Sequence, residues 1–189
     1  AGDLCIRCHA MTGWVSGRSQ PTNGSQLVAG DRDGVTCDLC HRMVNPQYAA
    51  GTSPPEDVDV IAGLLPGHTP VNYSNGQMVL DPQGRRRGPF SDTVAPHAVL
   101  TSPFHRSGEF CGTCHDVSNP AFVRTGPADY APGPLDQAPA SMLSSDVMPL
   151  ERTYSEWLHS AYPAGVYAPD LVGNRADGTA RVWDAATGE

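Results

Sequence analysis

Six cysteines and seven histidines carry the reactive chemistry of this 189-residue chain. The cysteines form three Cys-x-x-Cys pairs, each followed at once by histidine: Cys5-Ile6-Arg7-Cys8-His9, Cys37-Asp38-Leu39-Cys40-His41 and Cys111-Gly112-Thr113-Cys114-His115. No cysteine is left over. Two thiols three positions apart on one turn can reach the two vinyl groups of a haem and form thioethers, and the next residue then offers an imidazole to the iron. The pattern assigns three haem c groups, with Cys5, Cys8, Cys37, Cys40, Cys111 and Cys114 as thioether residues and His9, His41 and His115 as proximal iron ligands. On this reading the chain is an iron- and metal-binding protein. Zinc is a poorer fit, because a closed site uses two pairs and three pairs leave one stranded. A thioredoxin-like site needs a βαβ context that the sequence lacks, and three disulfides would not require a histidine after every pair.

Four histidines remain for the opposite faces of three irons. His105 lies six residues before Cys111, and His97 eight residues earlier still, just after Pro96. Two histidines closely preceding a haem-binding turn can serve haems on either side of it, so His97 and His105 are the favoured distal ligands. His159 falls at the edge of an apolar helical stripe, and His68 sits in the loop Leu65-Pro66-Gly67-His68-Thr69-Pro70. Each stays open between iron ligand and ordinary surface histidine. Met78, Met142 and Met148 are alternative sixth ligands that would raise a haem's potential relative to a second histidine. Met11 and Met43, two residues after their proximal histidines, lie on the wrong side of the ring to ligate it and are expected to pack.

The elements that position these residues are expected to be short. Each motif reads Gly-x-x-Cys-x-x-Cys-His, with Gly2, Gly34 and Gly108 as turn glycines before brief helices. Ser102-Pro103 predicts the start of a short helix, with Ser102 as its N-cap and Pro103 in the first turn. Thr153-Tyr154-Ser155-Glu156 reads as a capping box opening a helix that Pro163 stops, its stripe formed by Tyr154, Trp157, Leu158, Ala161 and Tyr162. Two β-hairpins are predicted, one at Asn75-Gly76 between Val71-Asn72-Tyr73 and Met78-Val79-Leu80, the other at Asp177-Gly178. The second would make 163–189 a terminal extension. The stretch from Pro127 to Pro149 is rich in Pro, Ala and Ser and reads as a loop wrapped around the cofactors.

Composition explains why so little regular structure is expected. Leu, Ile, Val and Phe number only 34 of 189 residues, beside 20 glycines and 18 prolines. That is below the roughly 20% at which a chain normally buries enough side chain to fold unaided. Charge is also sparse, at 17%, so something other than side chains must fill the centre, and three flat macrocycles would do so. The expected fold is therefore one loop-rich domain over 1–189, with short α-helices and one or two hairpins organised around three covalent haems. A net charge of −8 argues against nucleic acid, and no apolar run of about 18 residues could span a membrane. All twelve basic residues are arginine, whose planar fork suits bidentate carboxylates. Arg85, Arg86 and Arg87 are open between pairing with haem propionates and forming a solvated basic loop. Asp31-Arg32-Asp33-Gly34 lacks the remaining ligands of a calcium loop and reads as a turn. No basic and apolar leader precedes Cys5, so it has been removed or these residues belong to a longer chain.

The stretches Gly34-Val35-Thr36-Cys37-Asp38-Leu39-Cys40-His41 and Phe110-Cys111-Gly112-Thr113-Cys114-His115-Asp116-Val117-Ser118-Asn119-Pro120 resemble those of large environmental bacterial multihaem c-type cytochromes. The motifs cover fifteen residues, and the likeness extends loosely from Cys5 to about Tyr162. The resemblance implies electron transfer in the periplasm or outside the cell, with redox proteins or an extracellular acceptor as partners, and self-association into an oligomer or haem-lined filament. The alternative is a multihaem oxidoreductase with one open iron acting on a small inorganic substrate. The variant with a lysine proximal ligand is excluded, since the chain has no lysine. A third reading, a haem-rich docking module, is not separated from the first by sequence.

Overall fold

Short of apolar side chains, the chain folds through brief helices, tight turns and small sheets, and it buries polar groups in place of a broad oily centre. The computed structural model describes residues 2–160, except 136, 138, 139, 142 and 144, together with residue 163. Among the described residues twelve polar or charged residues are buried, against ten hydrophobic ones.

Helix α1 (Gly2–His9) runs almost directly into α2 (Met11–Val15). A 3-10 turn, Ala29–Asp33, then leads to α3 (Cys37–Arg42), whose first turn is capped by the Thr36 hydroxyl accepting from the Leu39 N–H at 3.4 Å. Strand β1 (Met43–Val44) follows, then α4 (Glu56–Ala62). Strand β2 (Val79–Leu80) pairs antiparallel with β1, setting Met43 opposite Leu80. Val44, Val60 and Val79 form the small apolar nucleus, with Ile61 and Leu64 against it. Strand β3 (Arg86–Gly88) runs parallel to β4 (Val99–Thr101). A 3-10 turn at Pro103–Arg106 delivers the chain to α5 (Gly108–Gly112). Strand β5 (Val117–Arg124) is flanked by β6 (Tyr130–Pro132) and β7 (Val147–Glu151), both antiparallel to it. Helix α6 (Thr153–His159) ends the described secondary structure.

The mixture of short helices and small sheets agrees with the expected fold class, and several details differ. The Asn75-Gly76 turn forms, with both residues at positive φ and the Gln77 N–H donating to the Ser74 carbonyl at 3.0 Å. Its flanks do not pair with each other, however, because Val79–Leu80 is taken by β1. The hairpin that does form is β5–β6, closed by the Thr125 N–H on the Asp129 carbonyl at 2.8 Å. Strands β6 and β7 occupy part of the segment expected to be a loop. Prolines lowered its strand signal, but Pro132 and Pro149 lie on flanking strands, where the missing N–H is tolerated. Ser102 precedes the Pro103 turn, yet no side-chain cap forms and its hydroxyl is buried without a partner. Helix α6 starts at Thr153 as expected, but Glu151 Oε1, not a Thr153–Glu156 box, accepts from the Thr153 N–H at 2.7 Å. The hairpin at Asp177-Gly178 lies outside the described residues, as does Met142.

Helix α6 packs its ring pair, Tyr154 on Trp157, against α5. The approach is close enough that a Cβ on Gly108 would stand 2.5 Å from the Trp157 ring and one on Gly112 2.6 Å from Tyr154. Met11 and Met43 are buried, as packing residues should be. Asp31 is a structural anchor in its turn, accepting from Arg18 Nε at 2.7 Å and from the Val28 N–H at 2.9 Å. The Arg18 bond, more than its other partners, draws the Asp31 carboxyl down to about 2 from an ordinary 3.8. A depressed carboxyl stabilises the fold fully above its unfolded value and loses that contribution as pH falls through the folded one. Unfolding midpoints followed from pH 5 to pH 2 should therefore fall in the parent chain, and Arg18→Ala should flatten that acid limb.

Candidate site at the three Cys-x-x-Cys-His turns

All three motifs lie on helical turns: at the end of α1, at the start of α3, and across the end of α5, where the His115 N–H donates to the Cys111 carbonyl at 2.9 Å. Helical spacing puts the two cysteines of a pair on one face. The same graded burial recurs at each: Cys5, Cys37 and Cys111 are exposed, and Cys8, Cys40 and Cys114 are half-buried. His9, His41 and His115 are all exposed. Each turn thus presents one outer thiol, one inner thiol and an outward imidazole.

The turns also approach one another. The Cys8 and Cys114 thiols lie close enough to interact, which lowers Cys8 and raises Cys114 from their ordinary values; burial raises Cys114 further. Burial, with the nearby Cys37, also pushes the Cys40 thiol up. The first and third motifs are therefore spatial neighbours although a whole motif separates them in sequence.

The Asn75-Gly76 turn holds that pair. The Gly76 N–H donates to the Thr113 carbonyl at 2.7 Å and the Asn75 N–H to the Asp116 carbonyl at 3.0 Å. The Asn75 side-chain oxygen accepts from the Ser118 N–H at 2.7 Å, and its carbonyl accepts from Arg7 Nη1 at 3.3 Å. No side chain fits at Gly76, because a Cβ would stand 2.8 Å from Arg7 Cδ and 2.9 Å from Cys8 Sγ.

The middle motif is anchored differently. His41 Nδ1 lies 2.6 Å from the Arg87 carbonyl. A carbonyl only accepts, so Nδ1 carries the proton, and in the neutral ring Nε2 keeps its lone pair. His105 stacks on the same ring, with centroids 6.4 Å apart and planes 18° from parallel. Its Nε2 donates to the Cys40 carbonyl at 2.9 Å, and Nδ1 is buried without a partner. Phe110 and Phe104 enclose it, at 4.9 and 6.0 Å. Burial lowers the His105 pKa, which favours the neutral ring.

The other distal candidates stand apart from this cluster. His97 is exposed on the lead-in to β4 and lines a cavity of about 450 Å³ with Arg85, Arg86 and Leu100. His68 is exposed in its loop, its ring near the Pro66 carbonyl at 3.1 Å, and His159 is exposed at the end of α6. The arginine run is engaged with aspartates: Arg85 with Asp81 at 2.7 Å, Arg86 with Asp38, and Arg87 with both Asp57 and Asp81 at 2.8 Å. It is neither a free basic loop nor open to another anion at every position.

One expectation is corrected. The sequence predicts an iron- and metal-binding chain, but among the described residues no three His, Cys, Asp or Glu side chains gather in a group that could hold a metal ion. The reason is geometric: the imidazoles of the three motifs are exposed on separate turns, and of the three inner thiols only Cys8 and Cys114 meet. Among the described residues no helix is long and apolar enough to cross a membrane. No family model, curated protein or solved structure matches the chain.

Two features of the site gave no warning in the sequence. Arg87 reaches His41 from 46 positions away, and Asn75-Gly76, legible as a turn, gave no sign of which segments it joins. Gly76→Ala should crowd Cys8 in a backbone conformation that costs a side chain about 1–2 kcal/mol. Urea unfolding of the parent and the variant measures that loss, and a smaller change would mean that the turn does not hold the two motifs.

Proposed function

We propose that the chain moves electrons through three haems attached covalently at its Cys-x-x-Cys-His turns, as a component of an assembly outside the cytoplasm. The observation that carries this reading is the state of His41. Its Nδ1–H is committed to a backbone carbonyl, its ring is exposed, and its Nε2 retains the lone pair an axial ligand needs. The residues of that turn fit the group: Cys37 and Cys40 flank the same helical face, and the buried, unpartnered Nδ1 of His105 marks polar chemistry unsatisfied by the polypeptide alone. A porphyrin supplies four nitrogens to its own iron, so the reading does not depend on a cluster of metal-binding side chains. When bound, haem supplies a one-electron couple.

The chain's own residues do the rest. The paired thiols tether, the outer one accessible and the inner one held against the protein. His41, His9 and His115 present imidazoles on the face the thiols define. The Asn75-Gly76 turn fixes the first and third motifs side by side, which favours short transfer distances between the groups they would carry. His97, His105, His68 and His159 are the candidates for the opposite faces, and the pairing among them is part of the proposal.

Intact mass of the denatured chain, expressed with haem-attachment machinery, should exceed the bare polypeptide by three porphyrins; a colourless chain of bare mass defeats the reading. In the oxidised protein, low-temperature EPR should show only low-spin iron, and carbon monoxide should not bind after reduction. A stoichiometric high-spin signal with a carbon monoxide adduct would instead favour an oxidoreductase with one open iron.

A further inference from the structure

Arg87 is fully buried, and so are the two carboxylates that grip it. Its Nε donates to Asp57 Oδ1 at 2.9 Å, its Nη2 to Asp81 Oδ2 at 2.8 Å, and its Nη1 to the Arg85 carbonyl at 3.0 Å. Asp81 is gripped in turn by Arg85 Nε at 2.7 Å and by the Gln83 N–H at 2.8 Å. Asp57 comes from α4, with Glu56 beside it, so three separate segments converge on one guanidinium.

The same residues reach back to the middle motif at its histidine and at the residue after it. The Arg87 carbonyl receives His41 Nδ1–H at 2.6 Å. Arg42, the next residue, sends Nε and Nη2 to the Asp81 carbonyl at 3.0 and 2.8 Å, and the Asp81 N–H donates to the Arg42 carbonyl at 2.9 Å. His41, Arg42, Asp81 and Arg87 therefore close a ring of bonds, and a ring constrains direction as a single bond does not.

We infer that Arg87 is the positioning residue for His41: clamped by Asp57 and Asp81, it fixes the carbonyl that orients the imidazole and sets its strength as an iron ligand. The inference rests on the haem reading above. A firm Nδ1–H bond to a carbonyl raises the basicity of Nε2, and a more basic ligand favours the oxidised iron. Loosening the clamp weakens that bond and makes the site easier to reduce. Only the site at His41 is affected, because neither His9 nor His115 touches the ring of bonds.

The test uses the haem-loaded chain in redox titrations followed optically and by EPR. Arg87→Lys keeps the charge and loses the fork. Asp57→Asn keeps an acceptor for Nε and loses one charge, and serves where the first variant does not fold. Arg18→Lys, at an ion pair with no bond to this ring, is the structural control. Each clamp variant should move one of three one-electron waves to higher potential, by about a tenfold change in the oxidised-to-reduced ratio, or 59 mV. The EPR signal of one iron should shift with it, and the control should move none. A folded variant in which no wave moves, or all three move together, overturns the inference and leaves the three-haem reading intact. If intact mass shows no porphyrin, the haem reading has failed. Nitrogen-15 NMR of His41 then decides the positioning role: the Nδ1–H tautomer should dominate in the parent and be lost in Arg87→Lys, and an unchanged tautomer overturns it.

Discussion

Removing a guanidinium and two carboxylates from water costs several kcal/mol per ion, and only close, fully bonded geometry offsets it. The fold around the middle motif depends on that balance at Arg87. Its two partners are not equivalent. Burial lifts the Asp57 carboxyl above its ordinary range despite Arg87, and one of its oxygens has no partner. For Asp81 burial acts in the same direction, but Arg87, Arg85 and the Gln83 N–H together hold it low. Cutting one member out of such a group costs about 3–5 kcal/mol, since an uncompensated charge is left inside. Strands β2 and β3 and helix α4, each too short to be stable alone, meet around this cluster beside a nucleus of only three buried valines.

Polar anchoring recurs elsewhere. Arg18 holds the turn at Asp31, and Arg152 reaches Asp116 at 3.4 Å and the Ser118 hydroxyl at 2.8 Å, tying the start of β5 to the start of α6. Arginine suits these places because its donors lie in a fixed plane and can satisfy several acceptors at once. The arginine-only composition thus has a structural use, and it falls on aspartates of the chain itself.

What was legible in the sequence was local. The helical turns of the three motifs, the Asn75-Gly76 turn, the packing of Met11 and Met43 and the start of α6 follow from spacing and turn chemistry within a few residues. The sheet of β5, β6 and β7 was hidden because Pro120, Pro132 and Pro149 mask its alternation; Pro132 and Pro149 are tolerated on flanking strands, and Pro120 at the break in register of central β5 between Asn119 and Val123. The clamp on His41 was hidden for a deeper reason. It is made by a backbone carbonyl and by aspartates from α4 and from the turn after β2, and no periodicity links these to Cys40. Arg85, Arg86 and Arg87 look alike in sequence, yet only the last is enclosed.

The meeting of Cys8 with Cys114 bears on biosynthesis. More than a hundred residues separate them, so in a polypeptide made amino end first Cys8 emerges well before Gly76 and Cys114 arrive beside it. With Cys114 and Gly76 in place the inner sulfur at Cys8 is half-buried, so it is less open in the folded molecule than in a chain whose third motif has yet to arrive.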